Sequence, residues 1–117
     1  MKKYSVFLIL AITSLFLTYC SSSKRAARRI PKTTYTTDLA TVISTNCSPC
    51  HIPSKGGNKK AYDNYANVKA DIDEMIRRIQ LNPTDRGFMP FKKTEKLSAD
   101  IAAVFTKFKA DGSLENR

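Results

Sequence analysis

The chain has 117 residues, 42% of them hydrophobic and 26% charged, with a formal net charge of +10. That length allows one domain with a modest core and excludes a second. The charge invites nucleic-acid binding. Residues 1–19, read below as an export signal, argue against the chromosome as a partner, and most of the basic excess behind them sits in one short segment.

Lys2 and Lys3 precede VFLILAITSLFL, Val6 to Leu17, an apolar run of 12 residues. A membrane-spanning helix wants about 20, so residues 1–19 read as a signal peptide. The run ends LTYC, with Cys20 last, and SSSK follows. A leucine three residues before a cysteine, behind an apolar run, resembles a bacterial lipoprotein signal. The resemblance implies cleavage before Cys20 and a diacylglyceryl group on its thiol. Tyr19 departs from that pattern, which has a small residue there. An ordinary signal peptide and an uncleaved anchor are the alternatives. Without the two signal lysines the chain carries +8, of which +5 lies in residues 21–37: Lys24, Arg25, Arg28, Arg29 and Lys32, with no acid. Residues 20–37 are therefore expected to be a lipidated cysteine and a basic flexible tether, either resting on anionic headgroups or solvated. The expected location is the periplasmic side or the cell-surface membrane, lipid-anchored.

The candidate folded domain is 38–117. TTDLATVISTN predicts a short helix with Asp38 as N-cap and Leu39, Val42 and Ile43 on one apolar face. It runs into NCSPCHI, where two cysteines and the sole histidine fall within five positions. Residues 52–61 read as loop. A second helix is predicted over 63–81, with Tyr65, Val68, Ile72, Met75, Ile76 and Ile79 as its stripe, stopped by Asn82-Pro83. Residues 82–97 form a second loop. The last helix is predicted over 99–111, N-capped by Ser98, with Ile101, Val104, Phe105 and Phe108 buried and Gly112 closing it. No strand pattern is present. The fold class is all-α, with three main helices.

Cys47-x-x-Cys50 admits four chemistries. Zinc needs four ligands, and no further cysteine or histidine lies nearby. A thioredoxin-like redox pair wants a βαβ pattern, which is absent. A structural disulfide across two residues would constrain little chain. The fourth is covalent haem attachment, for which C-x-x-C-H is the known pattern. Two thiols must reach two vinyl groups on one porphyrin, and the next residue must turn its imidazole to the iron. One helical turn would supply both. A second axial ligand of such a haem is often methionine. GFMPF offers Met89, with Gly87 for close approach to a flat cofactor and Pro90 to stiffen the loop. Met75 is the rival, but its place on the helical stripe assigns it to the core.

The order CSPCH, a helix ending MIRRIQL, GFMP, then LSADIAAVFTKFKADG resembles the small class I c-type cytochromes of bacteria, over residues 38–112. The resemblance implies one haem c, wrapped by three main helices and bound by thioethers to Cys47 and Cys50. His51 and Met89 would be the iron's axial ligands. It also implies terminal helices crossing near the attachment site. Phe108 stands where that family often has tryptophan. Ile52-Pro53 stands where it often has Gly-Pro, and Pro53 is the candidate to hold the His51 side.

The expected function is electron transfer by Fe(III)/Fe(II) cycling between redox partners, as a membrane-tethered monomer rather than an enzyme. Ile43, Ile76, Phe88, Phe91, Val104 and Phe108 are expected to bury the haem. Arg77, Arg78 and Arg86 are candidates for a propionate. Lys55, Lys59, Lys60, Lys92 and Lys93 flank the two loops and would steer acidic partners. Two alternatives stand. One is a haem enzyme or gas sensor in which Met89 is displaced, although a peroxidase would want a distal base and His51 is already used. The other is a haem-free binding module with a structural CxxC.

Overall fold

Residues 31–117 are described by a computed structural model. The expected signal segment, Cys20 with its lipid, and tether residues 21–30 lie outside the described residues. Within them the molecule is all-α, with no strand. No helix among the described residues is long and apolar enough to cross a membrane.

The chain enters through one π-helical turn, Tyr35–Leu39, continuous with α1, Ala40–Asn46. The N-cap is Thr34 and not Asp38. Asp38 instead reaches back, and its carboxylate accepts the Thr34 N–H at 2.8 Å and the Thr37 hydroxyl at 2.9 Å. The Thr34 carbonyl accepts from both Asp38 and Leu39, which widens the turn to π geometry. Residues ahead of position 38 belong to the core: Thr34 and Tyr35 are buried. They lie alongside the C-terminal tail, where Tyr35 N–H donates to Leu114 at 2.9 Å and Thr36 N–H to Glu115 at 3.0 Å.

Helix α2, Tyr65–Gln80, is capped by Asn64, whose side chain accepts the Asn67 N–H at 3.0 Å. Val68, Ile72, Met75 and Ile79 are its buried stripe. Each such side chain contributes about 1.5–3 kcal/mol when removed from water, which outweighs the helix's own propensity. The helix stops at Gln80, ahead of Asn82-Pro83. Helix α3, Ala99–Ala110, buries Phe105 and Phe108 and half-buries Ile101 and Val104. Ser98 stands at its N-cap position without a side-chain hydrogen bond there. Gly112 has φ +97° just past its end.

The core brings these elements together around Leu39, Ile43, Val68, Phe105 and Phe108, all fully buried. The π-turn and α2 both pack on α3. Of the six residues expected to bury a haem, Ile43, Phe88 and Phe108 are buried and Ile76 and Val104 are half-buried. Phe91 is 64% exposed, the one exposed large hydrophobic residue among those described. Ile76 is only partly buried, because it lies off the stripe that Met75 and Ile79 carry inward.

Candidate functional site

The CSPCH segment begins where α1 ends. Cys47 N–H still donates to Ile43 at 2.8 Å, and His51 N–H donates to Cys47 at 3.1 Å. The motif is a turn with one helix-like bond rather than a full continuation of the helix. The chain then folds back on itself. Lys59 N–H donates to Cys50 at 3.0 Å and Tyr62 N–H to His51 at 2.9 Å. The fold-back brings Gly57 against the motif. A Cβ on Gly57 would lie 2.2 Å from the Pro49 carbonyl oxygen and 2.6 Å from that of Cys50. Only glycine admits so close a backbone.

His51 Nδ1 lies 2.7 Å from the Lys60 carbonyl oxygen. A carbonyl only accepts, so Nδ1 carries the proton and Nε2 is the nitrogen left with a lone pair. The expected holder, Pro53, does not take this place, which belongs to the Lys60 carbonyl; the Pro53 carbonyl accepts from Gly56 N–H at 2.9 Å. The imidazole stacks on Tyr62, with centroids 4.6 Å apart and planes at 15°.

Cys47, Cys50, His51 and Met89 all line one cavity of about 630 Å³. That lies within the range of about 300–1,000 Å³ common for small-molecule and cofactor sites. Ile79, Leu97, Phe105, Pro90 and Phe91 supply apolar wall, while Lys59, Lys60, Asp71, Glu74, Arg78 and Lys93 supply charge. Both cysteines are free thiols. Burial pushes the Cys47 thiol up to about 11, so it is neutral near pH 7. Among the described residues no three His, Cys, Asp or Glu side chains group as a metal site. The donor set suits a flat apolar group that offers carbon for two thiols and a metal for an imidazole and a thioether. By residue type, this set could hold a haem.

Met89 is half-buried, and its N–H donates to the Arg78 carbonyl at 3.3 Å, which ties the second loop to α2. Met75, assigned to the core by its spacing, is buried there and also reaches the cavity wall. Gly87 has φ +94°, which is why glycine stands there. A Cβ there would meet no protein atom nearer than the Arg78 guanidinium at 3.8 Å.

A second hollow of about 730 Å³ adjoins the first and shares Arg78, Met89, Phe91 and Lys93 with it. Arg77, Arg86 and Lys92 line it too. Arg77 and Arg78 both donate to Glu74 at 2.7 Å, and those bonds push the Glu74 carboxyl down to about 2. Lys60 pairs with Asp71 at 2.7 Å. Lys55 donates to the Ser44 carbonyl at 3.2 Å, away from the cavity wall. Lys59, Lys92, Lys93 and Arg86 thus make up the cationic rim without an ion pair among the described residues. Compared with protein-family models, with curated proteins and with solved structures, the chain has no match.

Proposed function

We propose that the chain is a membrane-tethered c-type cytochrome that carries single electrons between redox partners outside the cytoplasm. One haem would be held covalently by Cys47 and Cys50, with His51 and Met89 on its iron and Cys20 as the lipid anchor. The observation that carries the proposal is the shared cavity: both thiols, the sole histidine and Met89 line its wall. Bound there, the haem supplies a one-electron Fe(III)/Fe(II) couple.

The residues around it set the conditions. His51 and Met89 would both hold the iron, so the site would pass electrons rather than bind a substrate at the metal. A thioether favours the reduced state, and the apolar side chains Ile79 and Phe105 on the cavity wall would disfavour added positive charge in the same direction. Lys59, Lys92, Lys93 and Arg86 would attract acidic partners into a small, weak interface.

A second proposal is a haem enzyme or gas sensor in which Met89 moves aside. It is favoured by the half-burial of Met89 and by Met75, which also reaches the cavity. The absence of a second histidine weighs against it. Carbon monoxide added to the reduced full chain separates the two. Electron transfer predicts an unchanged absorption spectrum and a reversible one-electron titration. Rapid, tight binding would favour the open site, and a chain without covalent haem would remove both.

A further inference from the structure

The strongest arrangement left unexplained stands behind His51. Asp71, on α2, accepts from two groups through the same oxygen: the Tyr62 hydroxyl at 3.0 Å and the Lys60 ammonium at 2.7 Å. Those two residues are also the two that fix the imidazole. The Lys60 carbonyl accepts the hydrogen bond from Nδ1–H, with nitrogen and oxygen 2.7 Å apart, and the Tyr62 ring lies against the imidazole face at 4.6 Å and 15°. One carboxylate on a rigid helix thus anchors both the hydrogen-bond partner and the stacking partner of the sole histidine. Tyr62 is held on a further side as well, because its carbonyl accepts the Tyr35 hydroxyl at 3.3 Å.

We propose that Asp71 and Tyr62 form a positioning clamp for His51, fixing the plane of its imidazole and its Nδ1–H tautomer so that Nε2 is presented to the cavity in one orientation. The clamp acts through His51, and its value to electron transfer rests on the proposed haem ligation. Outer partners of this kind set the orientation and basicity of a metal-bound imidazole. A ring held in one plane needs no rearrangement when the metal changes charge. Without the clamp, rotation about the Cβ–Cγ bond would spread the ring over several planes.

The test uses the full chain purified from an exporting host, reduced, with its single histidine labelled with ¹⁵N in the ring. Covalent haem content is read first on a denaturing gel. The unsubstituted chain should give one Nδ1–H signal that exchanges slowly with water. Tyr62→Leu should speed that exchange by roughly tenfold in the haem-bearing chain, the scale of one lost hydrogen bond's ordering, and split the ring signal. Tyr62→Phe keeps the stacking face and should restore a single ring signal. Asp71→Asn, which leaves both aromatic rings in place, should speed exchange by roughly threefold and keeps the clamp testable if Tyr62→Leu fails to fold. Exchange and ring signals indistinguishable from the unsubstituted chain in both Tyr62→Leu and Asp71→Asn would overturn the clamp. A fast-exchanging, tautomer-averaged ring in the unsubstituted chain would overturn it too. A chain without haem but with a slowly exchanging Nδ1–H lost in Tyr62→Leu would sink the haem proposal and leave the clamp standing.

Discussion

Replacing both thiols, Cys47→Ala with Cys50→Ala, should remove covalent haem and with it most of the fold's stability. The cavity that would lose its occupant measures about 630 Å³. An apolar cavity costs about 24 cal/mol per Å³, so a fully dry space of that size would cost about 15 kcal/mol. Lys59, Lys93 and Arg78 on the wall admit water to part of it, so a loss of about 5–8 kcal/mol is the working figure. The 87 described residues are expected to have about 4–13 kcal/mol of total stability, at about 0.05–0.15 kcal/mol per residue. The loss is therefore comparable with the whole. Thermal unfolding by circular dichroism, with limited proteolysis alongside, should find the double variant without a cooperative melt and rapidly cleaved. For a domain this size about 1 kcal/mol moves the melting temperature by about 4–8 °C. A haem-free variant that melted cooperatively within about 5 °C of the unsubstituted chain would refute the reasoning. It would mean that Leu39, Ile43, Val68, Phe105 and Phe108 suffice as a core.

Met89→Ala should keep the haem attached, lower the reduction potential and let carbon monoxide bind the reduced protein to near stoichiometry, whereas Met75→Leu should change neither. The opposite pattern, read by potentiometry and absorption spectra, would transfer the ligand role to Met75. Gly57→Ala should destabilise by roughly 1–3 kcal/mol, because its Cβ would meet the backbone oxygens of Pro49 and Cys50 rather than a side chain that can move; an unchanged melt would count against the fold-back. The Thr34 N–H, ahead of Thr37 and Arg117, holds the Asp38 carboxyl below its ordinary value. Its contribution is therefore present above the ordinary carboxylate pKa of about 4 and lost as pH falls through the lower folded value. Asp38 is partly exposed, so solvent limits the effect to no more than about 1 kcal/mol, and Asp38→Asn should flatten that part of the acid-unfolding curve. Association with an acidic redox partner should slow as salt rises, and stopped-flow rates indifferent to salt would remove the cationic rim from the docking surface.

The helices were legible because each rests on a repeating apolar pattern. Val68, Ile72, Met75 and Ile79 announce α2 and become its buried stripe. Asn82-Pro83 and Gly112 mark stops the backbone obeys. The candidate site was legible only as far as residue type and spacing reach. Cys47, Cys50, His51 and Met89 could be named, and they do line one cavity. Their supports could not. Lys60 holds His51 with a backbone carbonyl, and a carbonyl leaves no trace in residue identity. Tyr62 and Asp71 are nine positions apart on different elements, and only the fold-back at Gly57 brings the first behind His51. The N-terminal edge failed for a related reason. Asp38 has the chemistry of a cap, but the contact between Tyr35 and the tail at Leu114 moves the helix start to Thr34. A pairing of residues nearly eighty positions apart is invisible to local pattern.

Intact-mass measurement of the full chain purified from an exporting host, after denaturation and thiol alkylation, tests the central claim most directly. The account predicts a mass increased by one haem and no alkylation at Cys47 or Cys50. A chain of bare polypeptide mass at this domain, with both thiols alkylated, would contradict it.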